Sequence, residues 1–167
     1  MTDEAARLLR AIRTWLALFI GALVLSGLTA FPLQSELALL VKWTGADAIE
    51  PVAGSMNWWL RMVRDGLADS YAKYPWLGYG TDWLAFAHLA IAVFFLGPLR
   101  DPVRNVWIVK SGLVACAGVV VLALICGPIR GIPVYWRLID CSFGVIGALP
   151  LWQVLRLTRR LEACSGR

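Results

Sequence analysis

Four stretches of apolar residues, each about as long as a bilayer is thick, constrain this chain more than any other feature. A membrane-crossing helix needs about 20 mainly apolar residues at helical rise. Trp15–Phe31, Asp82–Leu99, Val106–Cys126 and Pro133–Leu157 meet that requirement. A chain of 167 residues with only 16% charged side chains and a mean hydropathy of +0.68 cannot hide so much apolar surface in a water-facing core. Lipid must cover it. The expected fold is therefore all-α: a four-transmembrane-helix bundle forming one integral membrane domain over residues 1–167. The first apolar run is longer than the core of a signal peptide and is expected to remain in the membrane.

Direction follows from the arginines and lysines near the span ends. Arg7, Arg10 and Arg13 precede the first span, Arg100 and Arg104 join the second to the third, and Arg156, Arg159 and Arg160 follow the fourth. Lys110, just inside the third span, can snorkel to the same side. Four crossings put all three clusters on one face, so both termini are expected in the cytoplasm; Arg130 and Arg137 count mildly against this. The basic residues that make the net charge +5 sit at span ends. That is the pattern of membrane orientation and not of a phosphate-binding face, so no nucleic-acid partner is expected. Nine tryptophans, mostly near the span ends, suit an aromatic belt at headgroup depth.

The long first loop, 32–81, then faces outward, yet it is not a polar linker. Ser35–Trp43 and Asn57–Tyr71 read as short helices. In the second, Trp59, Val63 and Leu67 recur at helical spacing with Arg61, Arg64 and Asp65 between them. Both are too short to span and are expected to be amphipathic interfacial helices. Gly45 and Pro51–Gly54 separate them, and Pro75–Gly80 leads into the second span. Thr81 reads as that span's N-cap, with Asp82 in the first turn. Small residues at spacing four offer close helix packing: Ala22, Ser26 and Ala30; Gly112 and Cys116; Gly144 and Ala148. Pro150 is expected to bend the fourth helix.

Three segments carry a family resemblance. LTAFPLQSEL over Leu28–Leu37, YGTDWLAFAHL over Tyr79–Leu89 and GPIRGIPVYWRLIDCSFGVIGALPL over Gly127–Leu151 are similar to segments of small bacterial membrane proteins with four spans. The resemblance implies a fold and a bacterial inner-membrane location. It implies no catalytic role.

Ionisable residues inside spans are costly and usually functional. His88, the sole histidine, and Asp140 each lie about seven residues from the outer end of a span, roughly 10 Å deep at about 1.5 Å per residue. Thr81, Ala85, His88 and Ala92 share one helical face, and Trp136, Asp140 and Gly144 share another. Arg137 is one turn from Asp140, while Arg130 and Glu36 sit near the same outer level. Glu36, His88, Arg130, Arg137 and Asp140 thus outline a polar pocket open to the outer face. It would take a small amphipathic or lipid-like ligand, or a partner protein's helix. In a second reading, His88 and Asp140 are the acid–base pair of a membrane-embedded enzyme acting on a lipid-like substrate. In a third, the chain is an accessory subunit of a larger complex. Against all three stands a purely structural role, with Arg137 stapled to Asp140 and His88 donating to a carbonyl. Membrane lipids are the partners expected on any reading.

Cys126 and Cys141 would lie nearly level in a hairpin turning near Pro133, where on an oxidising side they could form a disulfide or a quinone-linked redox pair. No C-x-x-C motif accompanies them, and small-residue packing accounts for them more simply. One histidine cannot give bis-His haem ligation, and scattered carboxylates do not make a zinc site. No cofactor or metal is expected, and P-loop, G-x-S-x-G and H-E-x-x-H motifs are absent from the sequence. A topology reporter fused after Arg104 or Arg160 is expected to read cytoplasm, and one inserted at Ala53 the opposite side. An external signal at Arg160 would contradict four crossings.

Overall fold

A computed structural model describes residues 3–48 and 52–164, and every described regular element is helical. In chain order these are α1 (Asp3–Ala30), α2 (Leu33–Thr44), α3 (Met56–Lys73), α4 (Gly78–Phe94), α5 (Leu96–Arg100), α6 (Val106–Ile129) and α7 (Val134–Cys164). Short 3₁₀ turns occupy Ala46–Ala48 and Pro75–Leu77. Among the described residues, four helices are long and apolar enough to cross a membrane: Asp3–Ala30, Pro75–Arg100, Val106–Ile129 and Val134–Cys164. The chain is an all-α polytopic membrane protein. By contacts it divides into two compact units, Leu23–Ala90 and the combination of Met1–Ala22 with Ile91–Arg167.

The helices outrun the apolar windows that mark them. α1 begins at Asp3, twelve residues before Trp15, with Asp3 and Glu4 in its first turn and an Arg7–Asp3 pair at 3.7 Å. α7 runs on past Leu157 to Cys164, burying Thr158 and Leu161. Charge ends a hydropathy window, but it does not end a helix when backbone hydrogen bonds and an apolar stripe continue. α6 and α7 likewise continue through Pro128 and Pro150.

In the unit built from both ends of the chain, α6 and α7 form an antiparallel hairpin. Its core holds Ile12, Leu16, Val109, Leu151 and Val154, all fully buried, and the Phe19 and Phe95 rings meet at a tilt of 58° with centroids 4.7 Å apart. Arg13 Nε donates to Leu99 O at 3.3 Å. The closest approach to backbone is at Gly144, where a Cβ would stand 2.5 Å from the carbonyl oxygen of Cys116. A Cβ on Gly112 would stand 2.8 Å from both Leu151 and Phe95. Gly112, Cys116 and Gly144 therefore lie at the contact, and Cys116 serves there as a small side chain. All four cysteines carry free thiols.

The 23–90 unit corrects three details. On α1, Ala22 and Ser26 are exposed and Ala30 is half-buried, whereas Gly27 is buried, where a Cβ would stand 2.9 Å from Ala85 O. The loop helices exist as expected, slightly longer than read. Gly45 ends α2 in the left-handed region at φ 63°, and the Ser55 side chain caps α3 by accepting from Trp58 N. Trp59 is 6% exposed and belongs to the core, not to an aromatic belt. Thr81 is not an N-cap, because α4 already begins at Gly78 and Asp82 lies beyond its first turn. The Thr81 hydroxyl instead donates to Gly78 O at 2.6 Å and pairs with Tyr71 OH at 2.7 Å, joining α3 to α4.

Gly144→Ala is expected to lower stability by about 1–3 kcal/mol, because the methyl meets backbone that cannot rotate away. Gly118→Ala, where a Cβ meets nothing within 4 Å, is expected to be neutral or slightly stabilising. Unfolding of both variants in detergent micelles measures the contrast.

Candidate functional site

The five residues singled out from sequence fall into separate units and are described by unit. Arg130, Arg137 and Asp140 belong to the α6–α7 hairpin. Arg130 is the exposed C-cap of α6, its N–H held by the carbonyls of Cys126 and Gly127. The turn closes through Gly131 at φ 69° and through Ile132 N–H donating to Gly127 O at 2.9 Å. α7 then starts at Val134, which places Arg137 in its first turns and Asp140 one turn deeper. The Arg137 stem lies directly on Gly127, and any Cβ there would collide with its Cγ and Cδ.

Arg137 and Asp140 form no ion pair among the described residues, despite their spacing on one helix. The packing on Gly127 explains why. It draws the arginine stem across to α6, away from its own helix surface. Arg137 Nε is buried with no hydrogen-bond partner among the described residues, as is Thr158 Oγ1 in the fully buried core of the same unit. The staple of the fourth helix that the structural alternative offered is therefore not what this arginine makes.

Glu36 and His88 belong to the 23–90 unit. Glu36 is half-buried in the first turn of α2. His88 is half-buried on α4, next to buried Ala85 on the same stripe. Its Nδ1 lies 2.8 Å from Leu84 O, the geometry of an N–H donated to its own helix. That bond fixes the ring and leaves Nε2 as the acceptor when the ring is neutral. The carbonyl role considered for His88 is the one it has. Among the described residues, no group of three or more His, Cys, Asp or Glu is placed to hold a metal ion.

The 23–90 unit also holds a cleft that sequence reading missed. Asp47, in the 3₁₀ turn after α2, accepts from Arg61 Nε at 3.1 Å and from Arg64 Nη1 at 2.7 Å. Arg61 Nη2 also donates to Asp47 O, and Arg64 Nε donates to Asp65 Oδ1 at 2.8 Å. With Trp58 and Met62 these four residues line a recess of about 380 Å³. The arginines and Asp65 were visible as the polar face of a helix. Their partner Asp47 lies 14 to 17 residues away across a turn, with no periodicity to connect them.

The hydrogen bond from Arg64 is the main reason the Asp47 carboxyl is held below its ordinary value of 3.8; partial desolvation opposes it and Arg61 adds to it. Arg64, shared by Asp65 and Asp47, holds its proton more tightly than a free guanidinium. No protein-family model, curated protein or solved structure matches the chain.

A lowered carboxylate pKa fixes the sign of the pH dependence. The stability that Asp47 contributes is fully present above its unfolded value, near 3.8, and is lost as pH falls through the lower folded value. Amide protection over α2 and α3 is therefore expected to hold at pH 5 and to fall below pH 4. Asp47→Asn should lower protection at pH 5 and flatten the acid loss, which hydrogen exchange followed by mass spectrometry measures.

Proposed function

We propose that this chain is a multi-pass protein of the bacterial inner membrane, with both termini in the cytoplasm. It binds the anionic group of a small amphipathic molecule at the outer mouth of the α6–α7 hairpin. One observation carries the reading: Arg137, at the start of a membrane-crossing helix, has a buried Nε without an acceptor and no carboxylate partner. A buried Nε–H without an acceptor is unfavourable. A phosphate or carboxylate supplies both the charge and the paired acceptors that its fork-shaped donors fit. Arg130, on the turn that follows Gly127, adds a second cation at the same end. Asp140 one turn deeper repels an anion that enters too far, so the charged group stays at the mouth and the apolar part lies along the helices. The reading requires no turnover.

Purification in native lipid patches, with mass spectrometry of everything retained, tests it. The wild-type protein is expected to retain an anionic amphiphile, and Arg137→Gln to lose it about tenfold or more, the size of a charge-assisted contact. Gly127→Ala keeps every charge, displaces the arginine stem and should weaken retention in the same direction. Asp140→Asn should retain the amphiphile at least as well as the wild type. A converted lipid product would favour an enzyme using His88 and Asp140, and a stoichiometric protein without lipid would favour an accessory subunit. Either result would overturn the binding reading.

A further inference from the structure

The recess in the 23–90 unit uses none of the residues just invoked, and its composition is specific. Its volume of about 380 Å³ falls within the range of small-ligand sites, roughly 300–1,000 Å³. Trp58 and Met62 give it apolar walls, while Asp47, Arg61, Arg64 and Asp65 give it charge. The arginine side chains keep about a quarter of their surface exposed, at 25% and 26%. Each guanidinium has five N–H donors. Arg61 commits Nε and Nη2, and Arg64 commits Nε and Nη1. Arg61 Nη1 and Arg64 Nη2 therefore keep donors that no described acceptor takes, and Asp65 Oδ2 keeps lone pairs that no described donor fills.

Two guanidinium groups and two carboxylates sum to zero. A bare anion meets Asp47 and Asp65 as well as the arginines, and a bare cation meets the reverse. A ligand that carries both signs a few bonds apart satisfies both sets of free valences at once. Trp58 adds an aromatic wall of the kind that takes an ammonium group. The ion pairs with Asp47 hold the two arginines in place beforehand, which lowers the ordering cost of binding.

We infer that this recess binds a zwitterionic phosphate ester of the phosphoethanolamine type. Its phosphate lies on Arg61 Nη1 and Arg64 Nη2, and its ammonium on Asp65 Oδ2 and the Trp58 ring. The ester has two possible sources, a phospholipid headgroup or a soluble compound such as glycerophosphoethanolamine. The chemistry recognised is the same.

The test uses the full chain in nanodiscs of equal parts phosphatidylethanolamine and phosphatidylglycerol, with retained lipids counted by native mass spectrometry. The Arg137→Gln protein, in which the anion site proposed at the mouth of the α6–α7 hairpin no longer takes phosphatidylglycerol, should retain phosphatidylethanolamine in preference to phosphatidylglycerol by about tenfold, the scale of one charge-assisted contact. Met62→Trp fills the recess from a side chain already 43% exposed and leaves every ion pair intact, so it should abolish the preference without unfolding the helices. Asp65→Asn, which touches only Arg64 on its own helix, should reduce it. If added glycerophosphoethanolamine displaces the lipid, the recess serves a soluble ester; if it does not, the recess serves a lipid headgroup. Equal retention of the two lipids by the Arg137→Gln protein, or an undiminished preference when Met62→Trp is added to it, would overturn the inference.

Discussion

Helices in lipid gain nothing from hiding apolar surface from one another, since the lipid is equally apolar, so their association depends on how closely their backbones can approach. In this chain that approach is set at Gly144, where only a hydrogen fits against the Cys116 carbonyl. Much of the hairpin follows from it. With α6 and α7 this close, the turn from Gly127 to Ile132 closes on itself, and α7 restarts at Val134. The first turns of α7 then bring the Arg137 stem onto the bare backbone of Gly127. Two glycines thus fix where an arginine sits and which neighbours it cannot reach.

The two units treat charge differently, and the difference carries the functional reading. In the 23–90 unit, Asp47, Arg61, Arg64 and Asp65 neutralise one another across a turn and hold α2 near α3. In the other unit, Arg137 and Asp140 sit on one helix and form no ion pair among the described residues. A charge left in a low-dielectric place without a partner is expensive unless something arrives to meet it. The first arrangement is a scaffold with a neutral, dipolar recess. In the second, Arg137 Nε stays buried without an acceptor among the described residues.

The membrane-crossing helices were legible because about 20 apolar residues in a row admit few other fates. The loop helices were legible from Trp59, Val63 and Leu67 at helical spacing. The ends of the spans were not, since the apolar windows stop at Trp15 and Leu157 while the hydrogen-bonded helices continue to Asp3 and Cys164. Thr81 looked like a cap because it precedes an acidic residue and an apolar run; Tyr71 and Gly78 O, its actual partners, come from packing that no local pattern encodes. Ala22, Ser26 and Ala30 met the spacing rule as well as Gly27 can, but only the three-dimensional contact with Ala85 selects the glycine. At the site, Arg137 and Asp140 were identified as unusual residues for a span, yet their spacing suggested a staple. Gly127, which prevents it, lies ten positions earlier on another helix. Asp47 was missed for the same reason, as its importance rests on a turn.

The central claim is that the Arg137 guanidinium meets an anionic group from outside the protein. Solid-state NMR in membranes tests it directly, by measuring dipolar coupling between lipid or ligand phosphorus and arginine side-chain nitrogen, with Arg137→Lys assigning the signal. A strong phosphorus–nitrogen coupling that disappears in Arg137→Lys is the predicted result. An Arg137 nitrogen signal without phosphorus coupling, but with coupling to the carboxyl carbon of Asp140, would contradict it.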